Sequence, residues 1–492
     1  TKKTYFQGLG ELVNNPELEK FQKDEFAEQL PTEAFLGDDE KLSESSTSRR
    51  DFLKFLGFST AAASLAACEA PIQKVIPFVV KPEETIAGEA NWYASSFYDG
   101  NDFASLLIKN REGRPIFLKT NDLCDKGGIN ARVQASVLNL YDSARLHTPL
   151  ANGEEASWST IDASIVKGLN AAKEAGKQVV LLSSTIISPS TKAVIKEFAS
   201  KYNAKHISYD VLSASAMLDA NLESYGTRTL PTYHFDKADV VVSFAADFLG
   251  DWLDTGHGKD YSTKRNPKAA TMSRHFQFES NLSMTGANAD YRTPVKASEM
   301  GLALVNLYNL IATKAGASTV NVATSDYSTQ IQKAANDLWK AKGKSLVVAG
   351  GNDKNTHLVV NAINDLLSNN GSTIDFTKRS NLKQGSDADV STLISDMKAG
   401  KVGAVIAYNV NPVYNLAQGS EFASALATVD LSVSFAEKKD ETAAVMNFVC
   451  PDHNYLESWG DANPYTGINA LVQPTINPLF KTRQAQASLM TW

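Results

Sequence analysis

The chain has 492 residues, 43% of them apolar and 21% charged, with a net charge of −7. That length suits roughly two to four domains of about 150 residues each, and the acidic balance leaves no broad basic surface for nucleic acid. Three cysteines, Cys68, Cys124 and Cys450, are too few and too scattered for a disulfide framework, a zinc site or a cubane iron–sulfur cluster held by this chain alone.

Residues 1–47 form a polar, acidic extension with short amphipathic pieces such as Leu18 to Leu30, suited to wrapping a partner. The segment 48–68 follows. Ser48-Arg49-Arg50-Asp51-Phe52-Leu53-Lys54 fits the twin-arginine export pattern S-R-R-x-F-L-K at Ser48, Arg49, Arg50, Phe52, Leu53 and Lys54. The apolar run that continues to Ala67 is short, rich in alanine and glycine, and interrupted by Lys54, which suits an export signal better than a spanning helix. No run of about 18 or more uncharged apolar residues reads as an ordinary membrane span. Leu65-Ala66-Ala67-Cys68 resembles a lipobox, which makes Cys68 a lipidation candidate. Retention of the signal as an anchor or docking arm is the expected reading, and it places the protein on the periplasmic face of the bacterial inner membrane. Residues 69–90, with Pro71, Pro77 and Pro82, read as a linker.

Residues 91–154 read as a small β-rich domain. Phe103 to Lys109 and Ile116 to Lys119 alternate around a Glu112-Gly113 turn, which predicts a hairpin. Residues 130–150 suit a helix ending before Pro149. A first α/β domain is expected over 155–335. Its elements are a helix with Trp158, Ile161 and Ile165, the strand Gln178 to Ser183, a helix capped at Ser188, a short strand at His206 to Tyr209, and the buried strand Asp239 to Ala245. The helix Glu299 to Lys314 continues the alternation. A second α/β domain and closing segment, 336–492, is expected to hold the strand Ser345 to Ala349, a helix over 352–369, the strand Ala404 to Tyr408, a helix over 421–427 and the strand Leu431 to Phe435. Such alternation predicts α/β architecture, mainly parallel sheets flanked by helices. Ligands in such folds bind beyond the carboxyl ends of strands. The loops Ala246 to Gly250, Gly350-Gly351-Asn352 and Asn409 to Pro412 are therefore candidates, though none matches a dinucleotide fingerprint or a P-loop.

Several residues are tempting as sites. His275, Asp290 and Arg292, with Arg274 and Glu279, offer a proton or anion site, against a purely structural network holding a loop over a cofactor cleft. His453 beside Asp452 and Glu457 offers a relay or a ligand but lacks a second histidine at metal spacing. Trp252, among Asp247, Asp254 and His257, reads as a packing anchor. Ser183-Ser184 lacks a nucleophile elbow. Cys124 and Cys450 read as separate thiols, with pairing as the alternative. No catalytic, cofactor-binding or metal residue is assigned.

A resemblance then enters on specific residues. Gly113-Arg114-Pro115-Ile116, Gln134 to Leu138, Leu140-Tyr141-Asp142, Arg145-Leu146, the Asn-x-Asn-Pro at 409–412 and the segment Pro451 to Asp461 resemble the large subunit of molybdopterin oxidoreductases. Met272 to His275, Glu279 to Asp290, Leu471 to Ile476 and the extended twin-arginine N-terminus resemble, more narrowly, the molybdopterin-like subunit of bacterial alternative complex III, a quinol-oxidising respiratory assembly. The resemblance implies an α/β fold of the formate dehydrogenase and DMSO reductase type, domains 1–3, with an extended N-terminal arm. It implies a non-catalytic scaffold that supports electron transfer from quinol to a cytochrome c or a terminal oxidase. It carries no cofactor on this chain and places iron–sulfur clusters and c-type haems on partner segments. The implied partners are an iron–sulfur portion, multihaem and monohaem cytochrome c subunits, quinol-binding integral membrane subunits and a terminal oxidase. Where active molybdopterin oxidoreductases have a CxxCxxxC motif this chain has Asn91 to Gly100, without cysteine, a departure that fits the resemblance to the alternative complex III subunit. The family's ferredoxin-like continuation is also missing, so a split or shortened subunit is expected. The alternative functions are an active molybdopterin oxidoreductase of the polysulfide or tetrathionate reductase type, and a two-lobed substrate-binding module.

Overall fold

A computed structural model describes residue 86 and residues 88–492 other than 125 and 255. The export-signal residues Ser48, Arg49, Arg50, Phe52, Leu53 and Lys54, and Cys68, lie outside the described residues.

The described chain opens with an antiparallel sheet of three strands, Asn91–Tyr98, Phe103–Arg111 and Arg114–Thr120. The tight turn at Glu112 and Gly113 puts both residues at positive φ, 51° and 75°, the geometry that a two-residue hairpin loop requires. Leu106, Ile108 and Leu118 on its inner face pack against Val133, Val137 and Leu140 of the helix Ala131–Asn139 and the residue after it. That helix stops at Asn139, ten residues before Pro149 and so short of the expected end. The chain must leave helical geometry there, because Arg145 turns inward to a buried carboxylate.

Seven strands form the central sheet, in the order Glu154–Glu155, Leu150–Ala151, Phe448–Val449, Leu431–Ser434, Val402–Tyr408, Gln178–Ser183 and Lys205–Ser208. The last five run parallel. Apolar residues on both faces explain their burial. Val179 and Leu181 join one core with the helices Trp158–Glu174 and Pro189–Tyr202. Val180 and Leu182 join another with Asp387–Lys398 and Gly419–Leu426. The helix Trp158–Glu174 buries Ile161, Ile165, Leu169 and Ala172, one stripe at helical spacing, and Ser157 caps it by accepting from the Thr160 N–H.

A second parallel sheet has the order Tyr291–Pro294, Arg274–Glu279, Val240–Phe244 and Ser345–Ala349. A fourth, antiparallel sheet joins Ile468–Val472, Gly460–Tyr465, Ile374–Ser380 and Leu230–Tyr233. The pairing departs from a division at 335. The strand Ser345–Ala349 pairs with Val240–Phe244 from the earlier half, and Val402–Tyr408 pairs with Gln178–Ser183. One lobe is therefore inserted in the other. Alternation along the chain gives the order of elements but not which strands become neighbours. No helix of the described residues is long and apolar enough to cross a membrane.

Candidate functional site

The parallel strands of the central sheet all end on one side. Beyond their carboxyl ends, between that sheet and the small N-terminal sheet with its helix, lies a cleft of about 790 Å3. Four loops build its floor. Ser184–Ser188 follows Gln178–Ser183, Asn409–Asn411 follows Val402–Tyr408, Phe435–Asp440 follows Leu431–Ser434, and much of 452–461 follows Phe448–Val449. Ser96 to Asp99 and Arg132, Ala135, Ser136 and Asn139 form the opposite wall.

Asn409 holds the strand ends together. Its backbone is left-handed, at φ 53°, which asparagine tolerates. Its Nδ2 donates to the Asp99 carbonyl and to Ser184 Oγ, each at 3.0 Å. Asn411 accepts from the Thr442 N–H and hydroxyl and donates to Glu441 Oε2 at 2.7 Å. Ser136 Oγ meets Tyr455 Oη at 2.8 Å, and Tyr455 packs edge-on against Phe97 at 5.0 Å. These contacts pin the closing segment to the opposite wall.

Five carboxylates line the cleft, Asp99, Glu437, Asp440, Asp452 and Asp461, against two cations, Arg132 and Lys438. Both cations are already paired. Arg132 binds Asp102 and Asp251, each at 2.7 Å, and Lys438 binds Asp142. Asp452 Oδ1 accepts from the His453 and Ala485 N–H groups at 2.8 and 2.9 Å. Burial pushes its carboxyl up to about 7, with Glu437 and Glu457 adding to the rise against the two backbone donors. Burial also raises Glu437 and Asp440. Beneath this floor Arg145 forms a buried two-pronged pair with Glu457, at 3.2 and 2.7 Å, and stands 3.6 Å from Glu437. Burial opposes ionisation of Glu457, but Arg145 and two backbone N–H groups outweigh it and hold the carboxyl below its ordinary value.

The structure places the other candidate residues as follows. His453 lines the cleft, its Nδ1 2.7 Å from Thr482 Oγ1. His275, Glu279, Asp290 and Arg292 form a structural network. His275 lies 3.1 Å from Tyr261 Oη and 3.2 Å from Gln277 Oε1, Gln277 donates to Glu279, and Glu279 pairs with Arg292 at 2.6 Å. Burial lowers His275 to about 4. The network fixes the strand Arg274–Glu279 and the loop after it within the second sheet. None of its residues lines the cleft, so it does not hold a loop over it. Trp252 donates to the Ala349 carbonyl and packs on Tyr233 at 5.1 Å, a packing anchor. Gly350 is a turn at a close backbone approach, since a Cβ there would stand 2.2 Å from the Ala245 carbonyl oxygen. Ser183 is fully buried, 2.8 Å from His206 Nε2. Cys124 is exposed, Cys450 is buried, and both are free thiols. Among the described residues no group of three or more His, Cys, Asp or Glu side chains is placed to hold a metal ion.

Sequence reasoning missed Glu437 and Asp440. They lie in the loop Phe435 to Asp440, which follows a buried strand, so the same carboxyl-end rule that singled out 409–412 also reaches them.

No family model matches the chain. A protein named menaquinone reductase, molybdopterin-binding-like subunit, from Nitratidesulfovibrio vulgaris strain Hildenborough is 24% identical over 505 residues, covering 90% of this chain and 71% of the relative. Acetylene hydratase from Pelobacter acetylenicus shares the fold with a TM-score of 0.64 at 12% identity, over 81% of this chain and 68% of that one. The chain thus has the molybdopterin-oxidoreductase-like α/β fold, with parallel sheets flanked by helices.

Proposed function

We propose that this chain is a non-catalytic scaffold portion of a quinone-linked respiratory assembly of the alternative complex III type. The charge of the cleft carries the reading. A molybdopterin cofactor is anionic through its phosphates, and a site for it needs free cations or unpaired N–H donors. Here five carboxylates face the space, and both lining cations are held by other carboxylates. The lining includes no cysteine and a single glycine, Gly460. Neither lining cation is free to meet those phosphates, so the charge of this lining does not fit the cofactor, and no step is routed through one. A fold shared with an enzyme does not confer the enzyme's chemistry. The name of the Nitratidesulfovibrio vulgaris relative, which joins menaquinone reduction to a molybdopterin-binding-like subunit, supports the respiratory setting.

On this reading the chain offers surfaces. Quinol is oxidised elsewhere in the assembly, and electrons pass to a cytochrome c or a terminal oxidase through iron–sulfur clusters and c-type haems on partner segments. Ser48 to Lys54 direct twin-arginine export, and the protein works on the periplasmic face of the inner membrane, with Cys68 a lipidation candidate. The test is molybdenum and tungsten by elemental mass spectrometry on the natively purified assembly. Background metal beside iron is expected. Near-stoichiometric molybdenum or tungsten would overturn the reading. One observation favours the second reading, an active molybdopterin oxidoreductase: the cleft retains about 790 Å3 rather than being filled by side chains. The same measurement separates the two.

A further inference from the structure

The N-terminal sheet carries an exposed face that its own packing does not explain. Its strands run in the order Asn91–Tyr98, Phe103–Arg111, Arg114–Thr120. Trp92, Lys109 and Phe117 stand in one row across them, and Ala94, Leu107 and Lys119 in the next. Lys109 pairs with Phe117 but Asn110 pairs with Pro115, so Ile116 is an extra residue on the outer strand. Such a bulge re-aims side chains. Pro115 and Leu118 are buried, whereas Ile116 is 48% exposed and Phe117 44%, next to Trp92 at 47%. The helix side of the same strand is apolar and exposed too. Tyr141 donates to the Pro115 carbonyl and is 49% exposed, and Leu138 is 65% exposed.

The charge of this region opposes that of the chain. Lys109, Arg111, Arg114 and Lys119 surround the apolar residues, in a protein of net charge −7. Among the described residues no carboxylate pairs with Lys109, Arg111 or Arg114, and Lys119 reaches only the exposed Asp122, at 3.9 Å. Among the described residues, too, no strand pairs with the outer edge of Arg114–Thr120.

We infer that Arg114–Thr120 is a docking edge for an extended acidic segment of a partner subunit, added as a fourth strand. Unpaired N–H and C=O groups along an edge strand are a template for such addition. Apolar residues on both sides of the edge suit a polypeptide that lies along it, whereas a planar lipid surface meets one side only. The cluster Trp92, Ile116 and Phe117 supplies the apolar centre and the four cations a rim that selects acidic side chains. Pro115 has no N–H and its carbonyl already accepts from Tyr141, so pairing begins beyond it. The inference rests on the presence of partner subunits, not on whether the chain is catalytic, so the metal assay can fall either way without touching it.

The test uses the full chain in its native assembly. A photo-crosslinking residue at Phe117 is activated in the source membranes, and the attached peptide is sequenced. Hydrogen exchange of residues 114–120 is compared between the assembly and the free chain. The expected result is a crosslink to an acidic segment of another subunit, with exchange at the edge slowed by about tenfold or more, and a crosslink to this chain's own residues 1–47 would overturn it. The double variant Arg114→Glu, Lys119→Glu changes exposed side chains only. It is expected to keep its melting temperature and to lose partner retention by about tenfold or more, more so at low salt. A crosslink to lipid, a crosslink to a basic segment, unchanged exchange at 114–120, or full retention of the charge-reversed chain would each overturn the proposal. Unchanged exchange would leave Pro115 and the cations as guards against edge-to-edge association.

Discussion

Replacing Asp452 by asparagine tests whether the cleft floor holds an unwanted negative charge. Asp452 presents Oδ1 to two backbone N–H groups and has no cation of its own. Burial raises its carboxyl to about 7, and Glu437 and Glu457 push the same way. An unfolded aspartate titrates near about 3.9, so the folded state keeps its proton roughly 3 pH units longer. The sign follows from linkage. The group's contribution to stability is fully present below the unfolded value and is lost as pH rises towards 7. At about 1.36 kcal/mol per unit, the ionised carboxylate costs up to about 4 kcal/mol above that pH. Asparagine offers the same acceptor oxygen without the charge. Unfolding entropy of about 2.1 cal/mol/K per residue over roughly 400 residues makes the melting temperature move about 1 °C per kcal/mol. Asp452→Asn is therefore expected to melt with the parent near pH 4 and up to about 5 °C above it near pH 8.5. Scanning calorimetry across that range reads the difference directly. A shift independent of pH, or a loss that grows towards high pH, would refute the reasoning, and the latter would mean that a cation compensates Asp452.

Three further outcomes follow from single contacts. Gly350→Ala places a methyl group 2.2 Å from the Ala245 carbonyl oxygen, and the loss expected in a urea titration is about 2–4 kcal/mol. Arg145→Met strands Glu457, whose side chain is fully buried, at an expected cost of about 3–5 kcal/mol at pH 7; the loss should shrink in acid as Glu457 becomes neutral, and a pH-independent loss would assign it to packing instead. Cys124 should react with a maleimide in the native protein, whereas Cys450, buried and with its thiol pushed up by that burial, should react only after unfolding; equal native labelling would contradict the packing around Phe435 and Trp492.

Local signals in the sequence survive into the fold because they are local. Glu112-Gly113 makes its hairpin, Ser188 caps its helix, and the apolar runs at 178–183 and 345–349 become buried strands. The helix predicted from residue 130 forms at Ala131, but it ends earlier than expected for a non-local reason. Val133, Val137 and Leu140 continue a helical stripe, yet the buried Glu457, 312 residues away, captures Arg145 and the chain turns out of the helix. The boundary at 335 fails in the same way, since hydrophobic runs state that a strand is buried and not which strand lies beside it.

The candidate site shows the same division more sharply. Of its loops, 409–411 and much of 452–461 were singled out in the sequence; 184–188 and 435–440 also follow buried strands but were not, and the loops 246–250 and 350–352 that were named do not line the cleft. Its electrostatic character was not legible, because Asp99 is separated from Glu437, Asp452 and Asp461 by most of the chain, and the four acquire meaning only when they face one space. Arg132 illustrates the point from the other sign. Alone in the sequence it is a free cation at the start of a helix, the kind of group a phosphate would use. In the fold Asp102 and Asp251 take both ends of its guanidinium, and Arg132 is no longer a free cation on the cleft wall. A fold shared with acetylene hydratase does not fix the charge of the cleft, because backbone packing sets the first while a few surface-facing side chains decide the second.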